Sequence, residues 1–243
     1  MKPLVTIITP TTGNKQLYRA VLSVEEQTYD NIQHLVVIDG PDGARSAHEI
    51  LEGSQADIIE LPYATGKDQY NGHRIYGAMT FVAKGDYLIF LDEDNWFEPD
   101  HVEKLVEQIQ AGNQWAYSLR KIVDQDGTYI CNDDCESLGK WTSIINDNFI
   151  DLNCFMIHKK DALHFAPLWY RRARHPADQP EVDRLLSAFM MQNFQRFDTT
   201  GLYTVNYRVA ARADSVQDVF FIRGNESMKL KMNGEYPWRS KKI

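Results

Sequence analysis

The sequence is poor in cysteine: Cys131, Cys135 and Cys154 are its only three in 243 residues. An odd, sparse set excludes a disulfide framework. Cys131 and Cys135 would supply at most half a zinc site, and no second Cys or His pair follows at ligand spacing. Long apolar runs are missing as well. No stretch approaches the ~18 residues that cross a bilayer. The first ten residues have neither the basic start nor the apolar core of a signal peptide, so the expectation is a cytoplasmic protein. Positive charge is in deficit, with 26 Lys and Arg against 34 Asp and Glu and a net charge of −8. That argues against nonspecific binding to nucleic acid or to an anionic membrane. No Gly-x-Gly-x-x-Gly follows the first apolar run and no Walker loop occurs, which counts against dinucleotide and P-loop nucleotide sites. Internal repeats and low-complexity tracts are absent too.

What is present is one stretch around which the chain is organised, Lys84 to Asp100. Tyr87 to Leu91 is a short apolar run rich in aromatic and branched residues, the pattern of a strand buried on both faces. It ends in Asp92, Glu93 and Asp94. At a period of two, Asp92 and Asp94 project to the same side. Carboxylates about 5 Å apart repel by roughly 3 kcal/mol at an effective dielectric of 20. A hard divalent cation, Mn²⁺ or Mg²⁺, resolves that repulsion and brings a phosphate-bearing ligand with it. The competing reading is a polar turn leading into the next helix.

The first hundred residues alternate strand and helix. Strands are expected at Leu4–Ile8, His34–Ile38, Asp57–Leu61 and Tyr87–Leu91. Helices are expected at about Gln16–Gln27, Ala44–Leu51 and His73–Ala83, and a fourth from Pro99 to about Ala111. This alternation implies a parallel sheet with helices on both faces. After Gly112 the rhythm changes. Trp115–Leu119, Ile122–Asp124 and Thr128–Cys131 read as short strands with Asp126-Gly127 as a hairpin turn. Asp151–His158 and Tyr203–Arg208 read as further strands, and Val182–Gln192 as a helix. The basic last thirty residues carry no readable pattern.

In an open parallel sheet the ligand sits beyond the carboxyl ends of the strands. Three such ends are chemically loaded: Thr9-Pro10-Thr11, Asp39, and Asp92 to Asp94. Asp39 can accept from a base or ribose, or can bond its own turn. Thr9 and Thr11 can donate to a base or cap the turn, while Pro10 fixes the loop.

Taken in order, the strand ending in Thr9-Pro10-Thr11, Val36-Val37-Ile38-Asp39-Gly40 and Phe90-Leu91-Asp92-Glu93-Asp94-Asn95 resemble family-2 glycosyltransferases of the GT-A fold. The resemblance spans about the first 110 residues. It implies an α/β, Rossmann-like, mostly parallel sheet flanked by helices, with a small acceptor-side lobe. Residues 1–112 would be the nucleotide-sugar half, and 113–243 the acceptor half and tail. It implies inverting, Mn²⁺- or Mg²⁺-assisted transfer of a sugar from a nucleotide diphosphate sugar, usually UDP-linked, of the kind used in polysaccharide biosynthesis. The acceptor would be a saccharide or a lipid-linked group, reached without a transmembrane segment. Asp39 would contact the base, Asp92 the ribose or metal-bound water, and Asp94 the metal, with Glu93 between them in the Asp-x-Asp motif.

Asn71-Gly72-His73-Arg74-Ile75-Tyr76-Gly77 falls where the family commonly has Ala-Arg-Asn-x-Gly, which would turn Arg74 to the nucleotide. Lys67 is a second cation in that region. The family's general base is an Asp at the start of a late helix. Here the matching residues are Asp183, in Asp183-Arg184-Leu185-Leu186, then Glu181 and Asp178, any of which could instead only stabilise a helix start. Asp151-Leu152-Asn153-Cys154 resembles the strand on the acceptor side. Trp141, Trp169 and Tyr170 could stack on a sugar or belong to the core. The alternatives are a non-catalytic nucleotide-sugar-binding or regulatory protein on the same fold, and a sugar-phosphate nucleotidylyltransferase. The latter needs a glycine-rich basic loop that Thr11-Thr12-Gly13-Asn14-Lys15 does not provide.

Overall fold

The computed structural model describes residues 2–67, 70–171, 182–210 and 216–239. The first half follows the alternation read from the sequence. β1 (Val5–Thr11), β2 (Ile32–Ile38), β3 (Asp57–Glu60) and β4 (Tyr87–Phe90) are parallel, in the order β3-β2-β1-β4. α1 (Leu17–Glu25), α2 (Ala44–Leu51) and α3 (His73–Val82) connect them. Leu17 and Val21 of α1 pack with Val36 and Ile38 of β2 and with Ala47 and Leu51 of α2, forming a small core of their own. β1 runs three residues further than expected, through Thr9-Pro10-Thr11, because β2 continues to pair beside it. β4 pairs it only as far as Ile8, so Pro10 lies past that ladder.

The second half completes the same sheet rather than making a separate one. β8 (Phe155–His158) pairs antiparallel with β4, and β6 (Trp115–Val123) antiparallel with β8. β9 (Phe197–Arg208) runs parallel to β6, and the two-residue β5 (Trp96–Phe97) closes the far edge against β9. β7 (Tyr129–Asn132) forms the expected hairpin with β6. Here the sequence reading needs correction. The two short strands expected between Trp115 and Asp124 are one strand, β6. The expected strand Asp151–His158 begins as a turn of 3₁₀ helix at Leu152–Cys154, because Asp151 caps it by accepting from the Asn153 amide. α4 (His101–Gln110) starts two residues past Pro99 rather than at it. α5 (Lys159–Phe165) and α7 (Asp218–Lys231) had not been anticipated, whereas α6 (Val182–Asn193) falls where a helix was expected. The chain leaves β1 for β2 on one side and returns to β4 on the other, so a topological switch point lies at the end of β1.

Candidate active site

A crevice of about 380 Å³ opens at that switch point, lined by Pro10, Thr11, Asp39, Gly66, Asp92 and Asp94 among others. Its size is that of a small-ligand site. The carboxyl ends of β1, β2 and β4 therefore do converge. A shallower extension beyond Asp94 is lined by His73, Asn95, Leu152, Tyr207 and Arg208.

Asp92 is tightly held. The Tyr76 hydroxyl donates to its Oδ1 at 2.8 Å and the Asn153 side-chain amide to its Oδ2 at 3.0 Å. Its backbone N–H donates to Asn153 Oδ1 at 2.7 Å. Burial, and next the neighbouring Asp94 charge, raise the Asp92 pKa to about 7. Asp92 and Asp94 follow β4 in a turn and are hard oxygen donors of the kind Mg²⁺ or Mn²⁺ would take, while among the described residues no group of three or more such side chains gathers. Arg208, at the end of β9, fixes the turn around Asp94. Its Nε donates to the Asp94 carbonyl at 3.1 Å, and its backbone N–H to Asn95 Oδ1 at 3.0 Å.

Asp39 lines the crevice, and its carboxylate anchors the loop after β3. Oδ1 accepts from the Thr65 N–H at 2.6 Å and the Thr65 hydroxyl at 2.8 Å, and Oδ2 from the Gly66 N–H at 2.9 Å. Arg74 serves the same loop: Nη1 donates to the Thr65 carbonyl at 3.0 Å, and the guanidinium lies 3.5 Å over the Tyr70 ring. Lys67 is exposed on that loop.

Several expected contacts are corrected. Thr9 is fully buried and its hydroxyl pairs with His34 Nε2 at 2.9 Å, so it does not reach the crevice. Glu93 borders the crevice but its carboxylate is committed to the turn after β1. Oε2 accepts from the Thr11 hydroxyl and from the Thr12 and Asn14 amides, and Oε1 from the Thr12 hydroxyl at 2.8 Å. The backbone donors that a phosphate loop would offer here are thus taken up by an internal carboxylate. Trp169 is fully buried against Tyr76 and Phe90 and belongs to the core, while Trp141 is half-buried and packs edge-on to Trp238. Tyr170 is 44% exposed and reaches the Arg74 carbonyl. Asp183 lies in the first turn of α6, where its Oδ1 accepts from the Arg184 amide at 2.8 Å, and it is not among the described residues lining the crevice. Glu181 and Asp178 lie outside the described residues.

The model of glycosyl transferase family 2 matches residues 6–168, two thirds of the chain. The chain belongs to glycosyl transferase family 2. It is 22% identical over 149 residues to the amylovoran biosynthesis glycosyltransferase AmsB of Erwinia amylovora, covering 57% of this chain and 50% of that protein. It is 33% identical over 122 residues to the glycosyltransferase GlyA of Streptococcus pneumoniae, covering 47% of this chain and 17% of that one. The chain thus spans half the length or less of these curated relatives. In fold it is similar to residues 1–349 of S. aureus TarS bound to UDP, with a TM-score of 0.63 at 14% identity, covering 85% of this chain and 60% of that one. The same TarS fragment bound to UDP-GlcNAc gives a TM-score of 0.62 at 13% identity, with 94% and 66% covered. The GT-A architecture read from the sequence is therefore the fold of this family-2 chain.

Reading the sequence for family-2 motifs missed Tyr76, Asn153 and Arg208 as parts of the site. Tyr76 and Asn153 lie inside segments that the motif reading had already singled out. Arg208 ends the last expected strand, and nothing local marks it.

Proposed function

We propose that this chain transfers a sugar from a nucleoside diphosphate sugar, UDP-linked, to an acceptor hydroxyl with inversion at the anomeric carbon. The observation that carries this reading is the crevice at the β1/β4 switch point, lined by Asp39, Asp92 and Asp94. Residues 1–112 act as the donor half and residues 113–243 as the acceptor half. Asp39 and the loop it anchors receive the base. Asp94 would hold Mn²⁺ or Mg²⁺, and Asp92 beside it would serve the ribose or the metal's hydration. The divalent ion, when bound, neutralises charge building on the departing diphosphate. Asp183 takes the proton of the acceptor hydroxyl as its oxygen attacks the anomeric carbon. The UDP and UDP-GlcNAc complexes of TarS support a uridine donor. The acceptor is a saccharide or a lipid-linked group presented from the membrane surface. Among the described residues no helix is long and apolar enough to cross a membrane.

The test is a thermal-shift panel of UDP, GDP, ADP and CDP with and without Mn²⁺, followed by detection of free UDP from UDP-sugars. A rise in melting temperature confined to UDP with Mn²⁺, with slow UDP release, is the expected result. Equal response to all four, or none, overturns the uridine donor. Binding without any UDP release favours the non-catalytic alternative.

A further inference from the structure

We propose that Asn153, oriented through Asp151 by the buried Arg120, is a positioning residue that sets Asp92 in place for the metal–diphosphate complex. This deepens the donor-site reading above and rests on it.

Asn153 is fully buried and uses its whole amide. Its Oδ1 takes the backbone N–H of Asp92, and its Nδ2 donates to Asp92 Oδ2 at 3.0 Å and to Asp151 Oδ1 at 2.8 Å. Only one orientation of an amide provides an acceptor on one side and two donors on the other. The Asp151 carboxylate enforces that orientation. Its Oδ1 also accepts from the Asn153 backbone N–H at 2.9 Å, and its Oδ2 accepts from Arg120 Nη1 at 2.5 Å. Arg120 is 2% exposed and is gripped by Asp133 and Glu136 as well. Burial opposes its charge, but Asp151, Asp133 and Glu136 outweigh that and keep it firmly protonated. The chain Arg120–Asp151–Asn153–Asp92 therefore runs from β6 to the end of β4, and its last member ties both the backbone and the side chain of Asp92. A purely structural tie would need only the backbone bond. The second bond, to the carboxylate oxygen, restricts the rotamer of a group facing the crevice. Groups that orient the carboxylates of a metal site in this way are worth about 10–100-fold in metal affinity.

The experiment is titration calorimetry of UDP against the intact chain, with Mn²⁺ and with EDTA, for the wild type, Asn153→Ala, Asp151→Asn and the double variant. Asn153→Ser, which keeps one donor, replaces Asn153→Ala if the latter fails to melt cooperatively. The expected result for Asn153→Ala is a loss of about tenfold or more in Mn²⁺-dependent affinity, with metal-free affinity within about twofold. Asp151→Asn gives a smaller loss of the same kind, and the double variant is no worse than Asn153→Ala, since both act through one chain. A folded Asn153 variant with unchanged Mn²⁺-dependent affinity overturns the inference. So does an equal loss with and without metal, which would mean a general effect on the crevice, and so does an additive double variant. A wild type that binds no UDP under either condition overturns the donor-site reading itself.

Discussion

Gly43 sits so close to Thr12 that a β-carbon on it would lie 1.7 Å from the Thr12 carbonyl oxygen. Across the same contact, Gly13 holds a φ of +80°, and a β-carbon there would meet the Gly43 carbonyl at 2.3 Å. The turns after β1 and β2 thus touch backbone to backbone, and both border the crevice through Thr12 and Asp39. No side-chain rotation relieves a clash between two main chains. Gly43→Ala is expected to cost about 1–3 kcal/mol, the range for forced overpacking, read as a lower urea midpoint. A midpoint equal to that of the wild type would show that the two turns separate freely.

In the proposed mechanism Asp94 is the residue that holds the metal. Asp94→Asn leaves in place the backbone carbonyl that accepts from Arg208 Nε. Mn²⁺-dependent binding of UDP is expected to vanish while thermal stability stays within a few degrees. Calorimetry with and without Mn²⁺ decides it: undiminished metal-dependent affinity removes Asp94 from the metal site.

In the proposed mechanism Asp183 acts on the acceptor, so its loss should leave the donor bound. Asp183→Asn retains size and polarity but takes no proton near neutral pH. Turnover should fall by roughly 10²–10⁴-fold, with UDP affinity unchanged. Glu181→Gln and Asp178→Asn should cost much less. Slow hydrolysis of the donor by water provides the rate where the acceptor is unidentified. A dead Glu181 or Asp178 variant beside an active Asp183 variant would move the base by a few residues.

Two buried histidines predict an acid-sensitive fold. His34 and His101 are each driven by burial to a pKa of about 3. Each bonds through one ring nitrogen, to Thr9 or Thr204, and leaves the other buried without a partner. Unfolded, both titrate near 6.5, so between that value and about 3 the unfolded chain binds more protons. Stability therefore falls as pH falls through this window, by up to about 1.4 kcal/mol per pH unit for each histidine. Urea unfolding at pH 7, 6 and 5 should show that slope, and His34→Gln with His101→Gln should flatten it. An unchanged slope in the double variant would assign the acid sensitivity to carboxylates instead.

The first half was readable because its signals are local. Apolar runs such as Val36–Ile38 and Tyr87–Leu91 end in turn residues, and Asp92 with Asp94 declares a charge problem within three positions. The second half hides its structure behind residues that look like surface. Arg120-Lys121 breaks the apolar run of β6, so the strand reads as two pieces, yet Arg120 is 2% exposed among three acidic partners. Asp198-Thr199-Thr200-Gly201 reads as a turn, and the register of β9 against β6 does shift there, but the strand continues through it. The polar tail conceals Trp238, fully buried with its indole N–H on Asp134 at 2.7 Å. Asp92 lines the crevice, as its place in the sequence suggested, but its partner Asn153 lies 61 positions away, and only the folded chain brings them together.

The hold of Arg208 on the Asp94 turn has a consequence for biosynthesis. A ribosome delivers the strands of the donor half first, and the carboxylates at the end of β4 emerge long before their restraints. Asn153 follows some sixty residues later, and Arg208 is 114 positions beyond Asp94. A nascent chain that stops short of Arg208 carries the Asp-x-Asp motif without the contact that shapes its turn. Completion of the site waits on a side chain 114 positions downstream of Asp94.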